Sequence, residues 1–193
     1  MKGIKPFTNV QKTNEKDPGC LIAYFSRAGN NYVGGTIVNL PVGNTEVIAK
    51  MIKEITGGDL FHIEAVQSYP SDYTETTDVA KEELRTGARP KLTRHLESLD
   101  SYSVFFLGYP NWWGTMPMPV FTFLEAYNFS GKTIIPFCTH EGSGLGRSVS
   151  DIRKTCTRAT VRNGLAIRGG DVKNARGGVA TWLRETGIPI KGE

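Results

Sequence analysis

The chain opens its ordered pattern at Cys20-Leu21-Ile22-Ala23-Tyr24-Phe25, an apolar run without alternation. Such a run suits a strand covered on both faces, as in a parallel sheet. A polar turn, Ser26-Arg27-Ala28-Gly29-Asn30-Asn31, ends it. A long loop then passes through Tyr32-Val33-Gly34-Gly35 and the short apolar piece Ile37-Val38-Asn39-Leu40. Val47, Ile48, Met51, Ile52 and Ile55 recur at helical spacing, and Gly57-Gly58 ends that helix. Leu60-Phe61-His62-Ile63 reads as a second strand. Residues 68–77 read as a loop, 78–86 as a helix with Ala80 and Leu84 on one face, and 91–101 as a polar connection. Val104-Phe105-Phe106-Leu107 is a third buried strand. It runs into Tyr109-Pro110-Asn111-Trp112-Trp113-Gly114, and a helix opens at Met116-Pro117-Met118-Pro119, where proline suits a first turn. Residues 133–138 form a fourth strand, followed by Thr139-His140-Glu141-Gly142-Ser143-Gly144-Leu145-Gly146. Val149, Ile152 and Cys156 mark a helix, Leu165-Ala166-Ile167 a short fifth strand, and Ala175, Val179, Trp182 and Leu183 a last helix.

Strand and helix alternate five times along the chain. That alternation predicts an α/β three-layer sandwich, a parallel sheet with helices on both faces. Right-handed crossovers leave few topologies, and a five-stranded doubly wound sheet of order 2-1-3-4-5 is the simplest. No internal repeat or second domain is visible. The expected organisation is a polar, lysine-rich arm over residues 1–19, flexible in character, and one domain over 20–193.

Composition narrows the class. Charged residues make up 22% and hydrophobic residues 39% of the 193, as in ordinary soluble globular proteins. No apolar run is long enough to span a bilayer, and residues 1–19 lack the apolar core of a secretory signal. Cys20, Cys138 and Cys156 lie far apart, which reads as buried free thiols in a reducing compartment, hence a cytoplasmic protein. His62, His95 and His140 are equally scattered, without metal-ligand spacing. The net charge of +4 is uneven: residues 147–176 carry eight Lys/Arg against two Asp. This basic third suits an acidic partner or an anionic substrate, and equally a set of solvated helix faces. It lacks aromatic interleaving and any reader motif, so neither nucleic acid nor membrane is an expected partner.

The loops after strands one, three and four leave one edge of such a sheet, where ligands bind in doubly wound folds. The first offers Ser26, Asn44, Thr45 and a helix amino terminus, all suited to an anion. No lysine follows a glycine there, so it is not a nucleoside-triphosphate loop. Taken alone, Gly43-Asn44-Thr45 equally describes an ordinary helix cap by Asn44. The second loop offers two indoles, on which flat ligands stack. In isolation a Trp-Trp pair more often caps a core. The third offers glycines that let backbone N–H groups approach a ligand, with Thr139, Glu141 and Ser143 adding polar contacts. A phosphate end, an aromatic clamp and a polar edge together describe a nucleotide with a flat head, and flavin mononucleotide (FMN) matches all three. Ser143 lies near His140 and Glu141, but a nucleophile elbow needs glycine two positions either side of the serine. Glu141 and Leu145 stand there, which argues against a hydrolase.

Tyr-Phe-Ser-x-x-Gly-Asn at strand one, Pro-Asn-Trp-Trp-Gly-Thr-Met-Pro after strand three, and Pro-Phe-Cys-Thr-His-Glu-Gly-Ser-Gly at strand four resemble the flavodoxins over about residues 20–185. In the usual family pattern the Ser or Thr and Gly-Asn-Thr share one short loop. Here Ser26 is separated from Gly43-Asn44-Thr45, so the path of residues 27–40 around a phosphate is open. The resemblance implies a flavodoxin-like fold with FMN as cofactor. Carried over by position, Ser26, Asn44 and Thr45 would hold the phosphate, with Arg27 adding charge or facing solvent. Pro110, Asn111, Trp112, Trp113 and Gly114 would flank the ring and its N5 edge, where a carbonyl near Gly114 could accept a hydrogen bond. Thr139, His140, Glu141, Gly142, Ser143 and Gly144 would meet the pyrimidine edge. The implied activity is electron transfer between redox partner proteins or to a small-molecule acceptor. The alternative is an FMN-dependent NAD(P)H:quinone-type oxidoreductase, with Tyr69 and Tyr73 on a loop at the same edge. Because this chain is basic and typical flavodoxins are acidic, full reduction of its flavin is expected to be easier than in those relatives.

Overall fold

The computed structural model describes residues 19–191. In chain order the elements are β1 (Gly19–Tyr24), β2 (Gly29–Val33), β3 (Thr36–Leu40), α1 (Asn44–Thr56), β4 (Asp59–His62), α2 (Tyr73–Thr86), β5 (Tyr102–Pro110), α3 (Met118–Glu125), β6 (Thr133–His140), α4 (Ser148–Thr155), β7 (Thr160–Val161), β8 (Leu165–Arg168), a 3₁₀ turn (Gly169–Asn174) and α5 (Arg176–Glu185). The main sheet is parallel throughout, in the order β4-β1-β5-β6, with β7 and β8 both on the outer side of β6. This is the expected doubly wound order, with the fifth position shared by two short strands.

The strands read as unbroken apolar runs because each serves two cores. Side chains alternate across a strand. Leu21 and Ala23 of β1, with Phe105 and Leu107 of β5, join Val120 and Phe123 of α3 and Ile152 of α4 on one face. Ile22 of β1 and Phe106 of β5 join Ile48 and Ile52 of α1 and Val179 and Leu183 of α5 on the other. Trp182 belongs to this second core, edge-on to Phe106 at 5.8 Å. Each fully buried large side chain contributes roughly 1.5–3 kcal/mol of transfer free energy.

Several expectations are corrected. Residues 29–40 are not a plain loop but an antiparallel hairpin, β2 against β3, turning at Gly34 and Gly35, both at positive φ. The pattern was hidden because the hairpin stands off the core and leaves Tyr32, Ile37 and Val38 exposed. Helix α2 begins at Tyr73, not residue 78. Asp72 caps it by accepting from the Glu75 N–H at 2.9 Å. Its buried face carries only Thr76 and Ala80, too weak a stripe for periodicity to reveal. The connection over 91–101 contributes Leu92 and Leu99 to the core, and Leu92 bridges Ala65. Cys138 and Cys156 are buried free thiols, whereas Cys20 is half-buried. Burial pushes the Cys138 thiol up to about 12. Of the arm expected over 1–19, residues 1–18 lie outside the described residues, and Gly19 already pairs within β1. No described helix is long and apolar enough to cross a membrane.

Candidate functional site

A cleft of about 470 Å³ opens at the carboxyl edge of the sheet, over β1, β5 and β6. Of the expected site residues, Ser26, Arg27, Asn44, Thr45, Pro110, Asn111, Trp112, Thr139, His140, Glu141, Gly142 and Ser143 border it. Trp113 borders an adjoining hollow of about 340 Å³ that shares Asn31, Tyr73 and Trp112 with the main cleft. Gly114 and Gly144 line neither.

One end of the cleft is the amino terminus of α1. The N-cap position is Gly43, and Asn44 is the first helical residue rather than the cap. Ser26 does the capping, its Oγ accepting from the Glu46 N–H at 3.1 Å. Gly43 packs so tightly on Ser26 and Arg27 that a Cβ there would collide with both, which explains glycine at this position. The amides of Asn44 and Thr45 have no acceptor within the helix and favour an anion at this end. Thr45 is buried, and its hydroxyl lies 2.8 Å from that of Thr139, which locks α1 to the end of β6.

Arg27 is part-buried and does not stand free over this end. Its guanidinium donates to the carbonyls of Pro70 at 2.6 Å, Ser71 at 2.7 Å and Asn30 at 2.5 Å. Burial, slightly offset by Asp72, lowers its proton affinity. Arg27 is thus a clasp between the hairpin and the loop before α2.

Pro110, Thr139 and His140 lie within strands rather than loops, because β5 and β6 run longer than their apolar cores. Beyond β6 the chain folds back on itself: His140 Nδ1 accepts from the Gly142 N–H at 2.9 Å. Burial, then the charge of Arg168, holds His140 below the ordinary imidazole value. The carboxylate of Glu141 accepts from the Gly34 N–H at 2.9 Å, tying the hairpin turn to this loop. Asn111 joins the remaining pieces, its Nδ2 donating to the Gly144 carbonyl at 2.8 Å and its Oδ1 accepting from the Gly114 N–H at 3.0 Å. The Gly114 carbonyl already accepts from the Arg147 N–H at 2.9 Å, so it is engaged within the protein rather than presented to the cleft.

The two indoles differ. Trp112 is partly buried, edge-on to Tyr69 at 5.0 Å and to Phe25 at 5.3 Å. Trp113 is 48% exposed at φ 53, and its Nε1 donates to the Thr77 carbonyl at 3.0 Å. The Lys81 ammonium lies 5.2 Å from its ring centre. Three cleft residues escaped the sequence reading of the site, Asn31, Tyr32 and Gly169, whereas Tyr73, expected at this edge, does border the cleft. Tyr32 stacks on Tyr73 at 6.1 Å across the cleft mouth. Gly34-Gly35 between two short apolar pieces was the available sign of the hairpin that carries Tyr32.

In chemical terms the cleft pairs a helix-terminal anion seat with an aromatic wall and a glycine loop. A family model described as flavodoxin matches residues 20–186. Among solved structures, a flavoprotein from Bacteroides eggerthii is 27% identical, with a TM-score of 0.72 over 89% of this chain and 99% of that one. A flavoprotein from Bacteroides uniformis is 26% identical, with a TM-score of 0.68 over 86% and 97%. A flavoprotein solved in complex with FMN, from Lactobacillus acidophilus, shares the fold at 21% identity and a TM-score of 0.57 over 81% and 97%. A search of curated proteins found no match.

Proposed function

The chain belongs to the flavodoxin family, and from that premise we propose that it is an FMN-binding flavoprotein that carries electrons between redox partners. The observation that carries the reading is that one cleft is bordered by the α1 terminus with Ser26, Asn44 and Thr45, by Trp112, and by His140 to Ser143 at and beyond the end of β6. The residues fit the group. The amides of Asn44 and Thr45 leave donors for a phosphate, and Gly43 keeps the helix terminus against Ser26 without a side chain in the way. The cleft volume of about 470 Å³ lies within the range of cofactor sites.

Bound FMN supplies one- and two-electron redox chemistry, and the protein sets its orientation and surroundings. The Ser26 hydroxyl and the amides of Asn44 and Thr45 would hold the phosphate, the Thr45 hydroxyl being engaged with Thr139. Trp112, braced by Tyr69 and Phe25, forms an apolar wall that would exclude water from one side of the ring. Asn111 keeps the second and third loops in fixed relation, so that the wall and the glycine loop move together. Among the described residues that line the hollow at Asn111, Trp112 and Trp113 there is no carboxylate or imidazole, which suits electron transfer without obligatory proton donation by such a side chain.

A second reading is favoured by the hollow beside Trp112 and Trp113, about 340 Å³, which has room for another flat ring. That space suits an FMN-dependent reductase acting on a nicotinamide and a quinone. Anaerobic titration of the FMN-loaded protein with NADPH, with and without a quinone, separates the two. A carrier oxidises NADPH only when a reductase is added; steady oxidation by the protein alone supports the reductase.

A further inference from the structure

Trp112 has two ring neighbours among the described residues, and they differ in what they can give up. Phe25 meets it edge-on at 5.3 Å, and a phenyl ring is far harder to oxidise than an indole. Tyr69 meets it edge-on at 5.0 Å, and a phenol yields an electron to an oxidised indole once its proton can leave. An exit for that proton is built in. The Tyr69 O–H donates to Glu83 Oε2 at 2.6 Å, within reach for direct proton transfer. Burial, then the bond to Glu83 and its charge, holds the proton on Tyr69 at rest. Burial also makes the Glu83 carboxylate a stronger base than an exposed one. Other tyrosines lack one half of this arrangement. The Tyr109 hydroxyl meets only the Ser148 hydroxyl, at 2.8 Å. Tyr102 reaches a carboxylate, Asp59 at 2.9 Å, but its ring meets Phe105 rather than a tryptophan. The Trp112–Tyr69 pair also divides two cavities. Trp112 borders the cleft and its adjoining hollow. Tyr69 and Glu83 border neither; with Val66, Pro70, Val79 and Lys91 they line a separate hollow of about 520 Å³.

We propose that Tyr69 is a redox-active residue: it refills an electron vacancy on Trp112, its phenolic proton passes to Glu83, and the vacancy emerges in the separate hollow. A one-electron oxidant on the cleft side takes an electron from the Trp112 indole and leaves a radical cation. An electron from Tyr69 restores the neutral indole as the Tyr69 O–H bond breaks and the proton goes to Glu83 Oε2. The products are the reduced oxidant, a neutral tyrosyl radical and a protonated Glu83. A small one-electron reductant that reaches the hollow, such as a thiolate or an enediolate, gives one electron back to Tyr69, and Glu83 returns the proton. The path drains oxidising equivalents from the wall of the cleft before the indole is destroyed. It goes beyond the FMN reading and does not depend on it, because any one-electron oxidant of Trp112 starts the same sequence.

The test is pulse radiolysis of the full chain with azide radicals, which oxidise tryptophan first, followed by transient absorption of the tryptophan and tyrosine radicals. The expected result is a conversion of tryptophan radical into tyrosyl radical at a rate independent of protein concentration and slower in deuterium oxide. Y69F and W112F each remove that phase. E83Q, which keeps an acceptor for the Tyr69 O–H but takes no proton, slows it at least about tenfold. Urea unfolding shows that each variant is folded, and the deuterium measurement reads the proton step without any substitution. A phase that survives in Y69F or in W112F overturns the path through this pair. A phase unaltered in E83Q, or unslowed in deuterium oxide, overturns the passage of the proton to Glu83. A chain that forms no tyrosyl radical overturns the inference whole. No flavin takes part, so each of these failures leaves the FMN reading standing, and flavin titration decides that reading separately.

Discussion

The hydroxyls of Thr45 and Thr139 lie 2.8 Å apart in the buried floor of the cleft, joining the first turn of α1 to the end of β6. Removing one hydroxyl strands the other. Thr45→Val is expected to lower unfolding stability by about 1–3 kcal/mol, and the double change of both threonines to valine by less than Thr45→Val alone, because no unpaired hydroxyl remains. Urea unfolding of the three variants measures both terms.

Arg27 is a clasp rather than a free phosphate ligand, with its fork spread over the carbonyls of Pro70, Ser71 and Asn30. Lysine keeps the charge but not the fork. Arg27→Lys is expected to lose about 1–2 kcal/mol of stability and to speed proteolysis within the hairpin. A loss of FMN affinity with unchanged stability and hairpin proteolysis would instead place Arg27 on the phosphate.

The two neighbouring indoles predict unequal consequences. Trp112 is packed on Phe25 and Tyr69, whereas Trp113 is half exposed and at positive φ. Trp112→Ala is expected to cost about 2–4 kcal/mol and most of the FMN affinity. Trp113→Ala is expected to cost less, about 1–2 kcal/mol, since about half of its surface already lies in solvent. Urea unfolding and flavin titration of each variant give the comparison.

Glu83 accepts the Tyr69 O–H at 2.6 Å. Burial raises its native proton affinity, and the tyrosine hydroxyl offsets only part of that. A carboxyl whose native pKa lies above its unfolded value binds more protons when folded, so it favours the native state at low pH. Its contribution is lost as pH rises from the ordinary carboxylate range through the raised native value. Glu83→Gln keeps an acceptor for Tyr69 without the charge. It is expected to be at least as stable as the unaltered chain at pH 7, with the advantage shrinking toward pH 4. Urea midpoints over that range show it, and a disadvantage at pH 7 would contradict it.

Much of this was legible in the chain because the parallel strands are long apolar runs and the helices that cover them carry clean stripes. Ile48 and Ile52 of α1 illustrate the point. What escaped was structure with little core to bury. The hairpin turns its apolar side chains partly outward, and α2 hides only Thr76 and Ala80. At the cleft, residue types gave the class of ligand, but partners required geometry. Asn44 looks like a cap, yet Ser26, distant in sequence, performs that role. Gly114 looks like a ligand contact, yet its carbonyl is taken by Arg147.

Titration of the purified protein with FMN, read by visible absorption and flavin fluorescence, bears most directly on the central claim. The account predicts saturable one-to-one binding, with the flavin absorption altered by the Trp112 wall and its fluorescence quenched. Riboflavin, lacking the phosphate, should bind more weakly. A protein that stays colourless in excess FMN, or that binds riboflavin as tightly as FMN, would contradict a cleft organised around the α1 terminus.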